Sequence, residues 1–496
     1  MQLVERALPY LSKSRVTTGL QCHKLLWWKV HDRTASELVI ERPQQAIFDQ
    51  GSHVGEIARA HVSGGVLIDL PHNAYAERIK ATRDVINGGA QVIYEAAFSM
   101  DGVFVAVDIL AREPRGWRLI EVKSTLSAKA QHLPDLAVQV HVARESGLDV
   151  FAAEVMFLNR ECRFPDLSNL FTREDRSADV EALLPAVRQQ IQLQRIMLGG
   201  DLPHVETGRQ CEQPYLCPFY DRCHEALAKH HVSTLYRIGR RRIQEFVDAG
   251  YETIGDLPES LELQPIHHRQ RRAILKGCTV VEPGLSGALH GFARPIAFLD
   301  FETVAPAVPV WEGCGPYSAV PAQFSCHVID PQGGTRHFEW IAEGAEDPRP
   351  ALTEALLEAT RDIERVVTWN SSFEKQCILG LAAAVPSRAG ELHALVKRIV
   401  DLLPVVRDHV YHPDFDGGFG FKAVLPALFK ELSHSDLEIG EGNLASAELA
   451  RMMFAPQSMA EAERVALRVE LLRYCELDTW GMVKILDVLR EEAAVT

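Results

Sequence analysis

Acidic residues at the end of an apolar run are the first feature of this chain that could do chemistry. In PIAFLDFET, Asp300 and Glu302 are two positions apart, and residues two apart on a β-strand share one face. An acidic pair in that position is costly unless it binds something. Near the C-terminus, RYCELDTWGM places Tyr474 and Asp478 four apart, on one face of a helix. Such carboxylates are candidate ligands for divalent cations.

A third acid lies between these two motifs. VVTWNSSFEKQC predicts a strand that ends at Asn370, followed by Phe373 and Glu374, and Asp401 in IVDLLPVVRD is the alternative to Glu374. In this order the motifs resemble those of the DnaQ-like DEDD exonucleases, in the subclass that contains a tyrosine. The resemblance covers about residues 290–490 and matches the family's Asp-x-Glu, Asn-x-x-Phe-Asp and Tyr-x3-Asp motifs, with Glu374 in place of the second Asp.

This resemblance implies an RNase H-like α/β fold and two-metal catalysis. Asp300, Glu302, Glu374 and Asp478 would hold two Mg²⁺ or Mn²⁺ ions about 4 Å apart, one activating water and one stabilising the leaving oxygen. Tyr474 would orient the attacking water. A terminal base could stack on Phe301 or Phe373, although core packing is the commoner role of such residues. Core-edge acids with ordinary helix charges are the alternative interpretation.

A second acidic pattern lies in the N-terminal half. Asp108 ends the apolar strand GVFVAVDIL, and Glu121 and Lys123 follow in LIEVKS, two apart on one strand face. Two carboxylates can hold Mg²⁺ or Mn²⁺, and a nearby lysine can orient water or neutralise phosphate charge. Glu95 and Gln139 are possible supporting members. A solvated hairpin with paired charges is the alternative.

Three cysteines stand close together at C-x5-C-x5-C, namely Cys211, Cys217 and Cys223, and Cys22 is a fourth candidate. Zinc knuckles usually have shorter spacings, whereas a 4Fe–4S cluster needs four thiolates and tolerates varied spacing. Because Cys22 lies almost 190 positions away from Cys211, a shared cluster would act mainly as a structural staple. A redox role is the second possibility, and unrelated buried thiols are the third.

Residues 1–225 resemble the RecB-type PD-(D/E)XK nucleases that carry an iron–sulfur cluster, with one Cys before the nuclease core and three after it. The resemblance implies catalytic roles for Asp108, Glu121, Lys123 and Gln139, and a 4Fe–4S cluster on the four cysteines. Between the two nuclease-like regions lies a basic segment, in which AGYETIGDL resembles a helix-hairpin-helix turn that could contact phosphates. Its candidate nucleic-acid-binding residues are Arg240, Arg241, Arg242, Arg271 and Arg272. A solvated helical linker is the alternative.

Composition limits the class of protein. The 496 residues are 47% hydrophobic, with no low-complexity run, which excludes collagen-like and disordered classes. The net charge of −15 is atypical of a protein that coats nucleic acid but fits carboxylate clusters that need divalent cations. No apolar run reaches the roughly 18–20 residues of a membrane span. Glu5 and Arg6 argue against a secretory signal, so we expect a cytoplasmic protein.

The elements that must position these residues define the expected organisation. Strands are predicted at QVIYEAAF, GVFVAVDIL, WRLIEVKS and FAAEVMFLN, and helices at about 135–146, 176–198 and 460–491. We expect an α/β protein with three parts: a restriction-endonuclease-like α/β domain (1–228), a small helical module (229–285) and an RNase H-like α/β domain (286–496).

The expected function is a metal-dependent nuclease. The resemblance implies an exonuclease that acts on single-stranded DNA or DNA ends in repair or defence. Three alternatives stay open at this stage. The first is a 3′→5′ exoribonuclease, because nothing in the sequence reads a 2′-hydroxyl. The second is a nucleic-acid-binding protein with inactive nuclease sites. The third is a redox-responsive protein that uses the cluster as a sensor.

Overall fold

The computed structural model describes residues 10–432 and 439–495, which form two compact units. The first unit contains the residues up to Ala226 and a short later segment, Ala307–Tyr317. The second contains Leu227–Pro306 and the chain from Ser318 onwards. Both units combine mixed sheets with helices, so the expected α/β class is confirmed.

A mixed seven-stranded sheet forms the centre of the first unit. Its strands are β1 Leu11–Ser12, β2 Val66–Leu67, β3 Val92–Met100, β4 Val103–Glu113, β5 Gly116–Lys123, β6 Val150–Leu158 and β7 Phe171–Asp175. Strands β2 to β7 follow one another in sequence order across the sheet, and β1 pairs in parallel with the start of β4. The strands predicted from the sequence correspond to β3, β4, β5 and β6.

Among its described residues, the first unit contains the helices α1 Lys13–Gln21, α2 His23–His31, α3 Arg42–His61, α4 Tyr75–Asn87, α5 Leu133–Glu145, α6 Ser177–Leu198 and α7 Tyr220–Cys223. The Ser12 side chain caps α1 by accepting a hydrogen bond from the Arg15 amide. Helix α5 is the crossover between the parallel strands β5 and β6, and it buries Leu136 and Val140 in the same core as Leu119 and Val155. This packing fixes one face of α5 against the sheet.

The second unit contains a five-stranded sheet and a separate short pair. Its strands are β8 Val280–Val281, β9 Ile296–Val304, β10 Val320–Ile329, β11 Thr335–Ile341, β12 Val366–Thr368, β13 Ile399–Asp401 and β14 Val410–Tyr411. The order in the main sheet is β11-β10-β9-β12-β13. The first three strands of that order are antiparallel, and β9, β12 and β13 are parallel, so β9 is central.

In the described part of the second unit, the helices are α8 Arg240–Asp248, α9 Pro265–Lys276, α10 Leu285–Ala288, α11 Arg349–Ala359, α12 Ser372–Ala384, α13 Ala389–Arg398, α14 Leu403–His409, α15 Phe421–Leu428, α16 Gly442–Phe454 and α17 Glu461–Val495. Strand β9 is buried on both faces. Phe298 packs in one core with Met482 and Ile485 of α17, while Leu299 packs in another core with Leu352 and Ile378.

The basic segment after Leu227 is part of the second unit. Gln270 of α9 bonds to the Tyr411 hydroxyl at 3.1 Å and to the Thr234 carbonyl at 3.2 Å. Arg269 is buried and donates to the carbonyl of Asp408 at 2.6 Å. These contacts pack α9 against β14 and the end of α14. Whether residues 229–285 are a domain of their own stays a prediction.

Within the described ranges, the helices that are long enough to cross a membrane are too polar to do so.

Gly417 gives a test of this packing. Its φ of +80° is a left-handed conformation, and an added Cβ would lie 2.0 Å from the Thr234 carbonyl oxygen. We expect Gly417→Ala to lower the free energy of unfolding by about 2–4 kcal/mol, measured by thermal and urea denaturation. The matched control is Gly418→Ala, where the nearest atom to the new Cβ is 3.6 Å away. Equal stability of the two variants would contradict this packing.

Candidate functional site

Two candidate acids lie on the central strand of the second unit. Asp300 and Glu302 continue the face of β9 to which Phe298 belongs, as the two-residue period predicts. Strand β9 pairs with β10 at both acids but with β12 only as far as Phe298, so the acids lie just beyond the end of β12. Glu302 is buried and Asp300 is half-buried.

Helix α17 brings the C-terminal motif to the same place. A carboxylate oxygen from each of Asp300, Glu302 and Asp478 lies within 4.8 Å of the other two. Tyr474, one helical turn before Asp478, is buried. Glu374, in the first turn of α12, is also buried and close enough to Asp300 to interact with its charge. The structure therefore brings together all five residues of the predicted DEDD site.

Burial dominates the electrostatics of this group. It raises the pKa of Asp300 well above its ordinary value, and the charges of Asp478, Glu302 and Glu374 add to the effect. Burial also raises the pKa of Glu302 to about 8, with Asp478 adding to it and Lys422 opposing it. For Glu374, burial again raises the pKa to about 8. Asp300, Glu302 and Glu374 therefore hold their protons more strongly than ordinary carboxyl groups, and nearby positive charge would favour their ionised forms.

The donor set fits divalent cations. Carboxylate oxygens are the ligands that Mg²⁺ and Mn²⁺ prefer. One oxygen of Glu374, Oε2, is buried and has no hydrogen-bond partner among the described residues, so it has a lone pair to offer. Asp401, the alternative acid, is already engaged: its carboxylate accepts hydrogen bonds from the amides of Asn370, Ser371 and Leu403 at 2.9–3.1 Å. Glu374 is therefore the better candidate ligand.

Tyr474 and Lys422 form the wall of this site. Burial and the three nearby carboxylates raise the pKa of Tyr474 above its ordinary value, so the phenol keeps its proton. The ammonium group of Lys422 lies 5.3 Å from the centre of the Tyr474 ring and donates a hydrogen bond to the Gly440 carbonyl at 2.7 Å. Sequence reasoning missed Lys422, which no motif marks.

Cys475 is a second residue that sequence reasoning missed. Its buried thiol lies 3.5 Å from Oδ2 of Asp300. Burial, followed by the charges of the site, raises the thiol's pKa well above its ordinary value, so it stays protonated and donates to the carboxylate. Of the two aromatic candidates for base stacking, Phe301 is in the core, whereas Phe373 on α12 is 39% exposed.

The N-terminal candidates also meet, on β4, β5 and α5. Asp108 accepts a hydrogen bond from the Val122 amide at 2.7 Å. Gln139 is buried and donates to Oε2 of Glu121 at 2.6 Å, while Lys123 donates to Oε1 of Glu121 at 2.8 Å. Burial raises the pKa of Asp108 to about 7, with Glu121 adding to it. The structure thus places Asp108, Glu121, Lys123 and Gln139 in one polar group.

Lys13 changes what this group can bind. It is the first residue of α1, and its ammonium group lies 2.7 Å from Oε1 of Glu121, the oxygen that Lys123 also contacts. Lys123 also pairs with Asp135 at 2.6 Å. Both oxygens of Glu121 are therefore occupied by side-chain donors, and the arrangement does not fit a cation unless Lys13 moves. Sequence reasoning missed Lys13 and Asp135.

The four predicted cluster cysteines are neighbours. Burial raises the pKa of the Cys217 thiol, and Cys22, Cys211 and Cys223 all interact with its charge. Cys22 lies at the junction of α1 and α2, and the Cys217 amide donates to the Cys211 carbonyl at 2.8 Å. All four are free thiols. One apolar cluster, which includes Trp28 and Phe219, packs around Cys217, Cys22 and Cys223.

In the part of the chain that the structure describes, no three of these thiols are as close together as the ligands of one zinc ion. Among the described residues, the groups of three possible ligand atoms lying within 4.8 Å of one another contain no cysteine. Four thiolates at about 2.3 Å from one zinc would lie only ~3.8 Å apart. A 4Fe–4S cluster holds each thiolate on a different iron atom, so it needs wider spacing. Arg222 of α7 closes the region by pairing with Asp32 and Glu37.

The five predicted nucleic-acid-binding arginines have different surroundings. Arg241 of α8 is 94% exposed and pairs with Glu245 at 3.4 Å, and Arg242 pairs with the same glutamate at 2.9 Å. Arg240 begins the same helix. On α9, Arg271 donates to the Leu257 carbonyl at 2.6 Å, and Arg272 pairs with Glu282. Arg271 and Arg272 thus hold structural contacts, and α8 is the more accessible part.

Comparison with known proteins gives one family match. A family model described as a domain of unknown function (DUF2779) matches residues 297–420. The matched region begins in β9 and includes Asp300, Glu302, Glu374 and Asp401, but it ends before α17, which carries Tyr474 and Asp478. The search of curated proteins finds no match to the chain.

Lys13→Met tests whether a lysine takes the place of a cation beside Glu121. We expect the variant to bind one more Mn²⁺ than the parent, because Glu121 Oε1 loses one of its two ammonium partners. Binding is counted by electron paramagnetic resonance in an Asp300→Asn background, which silences the other carboxylate group. The control is Lys80→Met, at an exposed position of α4. Equal Mn²⁺ binding by all three proteins would show that Lys13 does not exclude the ion.

Cys217→Ser tests the cysteine group. We expect protein purified without oxygen to lose its iron, its sulfide and its brown colour, and to melt at a lower temperature, because a cluster would cross-link α1–α2 to the 211–223 segment. Iron and sulfide analysis and calorimetry measure this. Cys162→Ser, at another buried thiol of the first unit, should keep its iron, its sulfide and its colour. An iron content unchanged by Cys217→Ser would remove that residue from the ligand set.

Proposed function

We propose that this protein is a metal-dependent nuclease whose main catalytic centre is the group around Asp300. The observation that carries the proposal is the approach of Asp300, Glu302 and Asp478 to within 4.8 Å, beneath a buried tyrosine and beside the unpartnered Glu374 oxygen. The preferred substrate is single-stranded DNA or a DNA end, and the preferred activity is exonucleolytic.

The reaction is phosphodiester hydrolysis: water attacks phosphorus, and the bond from phosphorus to the leaving 3′ oxygen breaks. Mg²⁺ or Mn²⁺ held by these carboxylates would supply an activated water and stabilise the charge on the leaving oxygen. Asp300, Glu302, Glu374 and Asp478 would hold the cations. Tyr474, protonated because of its burial and its acidic neighbours, can orient the water through its hydroxyl group.

Two features support a single-stranded substrate. Phe373 is partly exposed one residue before Glu374 and offers a ring on which a base can stack. The guanidinium groups of α8, above all that of Arg241, are available for phosphate contacts. The described residues supply no group that evidently reads a 2′-hydroxyl, so RNA is the second candidate substrate.

The first unit has a secondary role in this proposal. Its Asp108 group has lysines where a catalytic cation would bind, so we assign it to handling nucleic acid rather than to the main cleavage step. The four cysteines would hold a 4Fe–4S cluster as a structural staple between α1–α2 and the 211–223 segment. Both assignments rest on the resemblance to RecB-type nucleases together with the arrangement of these side chains.

The test is digestion of 5′-end-labelled single-stranded DNA in Mn²⁺, with protein purified without oxygen. We expect Asp300→Asn to lower the rate by about 10²–10³-fold, because it removes a carboxylate that would hold the cations on which transition-state stabilisation depends. Lys123→Ala should have a smaller effect. The control is Glu339→Gln, at an exposed acid on β11 of the same sheet.

The outcomes separate the candidate functions. Loss of activity in Lys123→Ala but not in Asp300→Asn would assign catalysis to the first unit. Cleavage of the matching RNA but not of DNA would make the protein an exoribonuclease. If wild type cleaves neither under single-turnover conditions, the nuclease proposal is wrong. Asp300→Asn should not melt below wild type without metal, because it removes one of four mutually repelling buried acids.

A further inference from the structure

A second group of candidate ligands lies in the second unit, apart from the DEDD acids. It consists of His327 on β10, His337 on β11 and Glu476 on α17. The two histidines are directly opposite each other in the β10–β11 register, and their rings stack with centroids 4.4 Å apart. One ligand atom from each of the three residues lies within 4.8 Å of the other two.

A chain of hydrogen bonds orients both imidazoles. Nε2 of His337 lies 2.9 Å from the Ser325 hydroxyl, which lies 2.7 Å from the Thr479 hydroxyl. Nδ1 of His327 lies 2.8 Å from that same Thr479 oxygen. Thr479 in turn donates to the Glu476 carbonyl at 3.1 Å. Because a carbonyl can only accept a hydrogen bond, the Thr479–Glu476 bond fixes which group donates in every other bond of the series.

One assignment of hydrogen atoms satisfies every member of this chain. Thr479 donates to the carbonyl, so its oxygen accepts from Ser325 and from Nδ1–H of His327. Ser325 then accepts from Nε2–H of His337. Each imidazole therefore uses its proton on a hydroxyl, and its other nitrogen, Nε2 of His327 or Nδ1 of His337, presents a lone pair. A metal-binding histidine commonly has this arrangement, with the second nitrogen donating to a fixed partner.

The third ligand already faces one of these lone pairs. Oε1 of Glu476 lies 3.9 Å from Nδ1 of His337, and the Glu476 side chain is half exposed and free to adjust. Ligands about 2.1 Å from a tetrahedral zinc ion lie roughly 3.4 Å apart. An approach of about half an ångström between these two atoms is therefore enough, together with a turn of the His327 ring out of the stack.

We propose that His327, His337 and Glu476 bind a transition-metal ion, Zn²⁺ in the first instance, with water completing the coordination. Two imidazoles and one carboxylate favour Zn²⁺ over Mg²⁺, which prefers oxygen ligands alone. This separates the site from the all-carboxylate group around Asp300. The proposal does not depend on nuclease activity.

The position of the site gives it a structural role. The ion joins the β10–β11 hairpin to α17, two residues before Asp478, and Ser325 pairs with Asp300 in the β9–β10 register. A bound ion therefore fixes α17 against the sheet at the level of the acids.

Equilibrium dialysis against Zn²⁺ tests the proposal. The parent is full-length Asp300→Asn protein, stripped with a chelator and handled without oxygen. The variants His337→Ala and Glu476→Gln should each bind one Zn²⁺ fewer than the parent. The matched control, His393→Ala at an exposed histidine of α13, should bind as much as the parent. Equal stoichiometry in all four proteins would overturn the proposal.

Substitution with Co²⁺ distinguishes this site from the cysteines. We expect His337→Ala to weaken the visible d–d absorption, to which cysteine-bound Co²⁺ also contributes, while the near-ultraviolet thiolate bands stay unchanged. Loss of only the thiolate bands would assign the ion to the cysteines and overturn the proposal. Glu476→Gln covers the case in which His337→Ala does not fold, since Glu476 is half exposed. Zn²⁺ should also raise the melting temperature of the parent but not that of Glu476→Gln.

Discussion

Mutual repulsion among buried carboxylates is the constraint on which the second unit depends. Asp300 and Glu302 lie on the middle strand of the sheet, paired with β10, with Glu302 buried and Asp300 half-buried. Asp478 on α17 and Glu374 on α12 reach the same point. An arrangement of this kind is unstable in itself, so the apolar contacts of β9 with α17 and α12 must compensate for it. Holding these four candidate ligands together thus destabilises the fold at this site.

The first unit also contains neighbouring acids, but it neutralises them with donors from its own side chains. There Glu121 is buried and Asp108 half-buried on a sheet, but Lys13, Lys123 and Gln139 donate to Glu121 from the chain itself. An internally neutralised group has little need of an ion, whereas Glu302 and Glu374 of the Asp300 group keep raised pKa values although Lys422 and Lys375 oppose the rise. Two sites that look alike as sequence motifs therefore differ in their electrostatics.

The positions of the acids could be predicted from the sequence, whereas the partners that neutralise them could not. The two-residue spacing of Asp300 and Glu302 and the four-residue spacing of Tyr474 and Asp478 are local, so strand and helix geometry predicted their faces correctly. The strands around Asp108 and Glu121 were predicted for the same reason. Lys13 could not be predicted, because it is 108 positions from Glu121 and no local pattern links them.

Other contacts were missed for the same reason. Cys475 and Lys422 join the site through tertiary packing, and the pairing of His327 with His337 depends on the register of a hairpin. The basic run suggested a common role for its arginines, but Arg271 and Arg272 are held by partners that only the folded chain brings near. Residue types and short spacings predicted which groups could act, whereas neutralisation by distant partners needed the structure.

The short segment Ala307–Tyr317 has a consequence for dividing the protein. It follows directly after β9, yet Ala307 and Val308 are buried in a core with Val54, Leu158 and Leu170 of the first unit. The polypeptide passes between the units at three points, so neither unit is one continuous stretch of chain. A fragment that begins at Leu227 would carry this segment without the core that covers it, exposing apolar side chains to solvent and favouring aggregation. The two units are therefore best produced together, as one polypeptide.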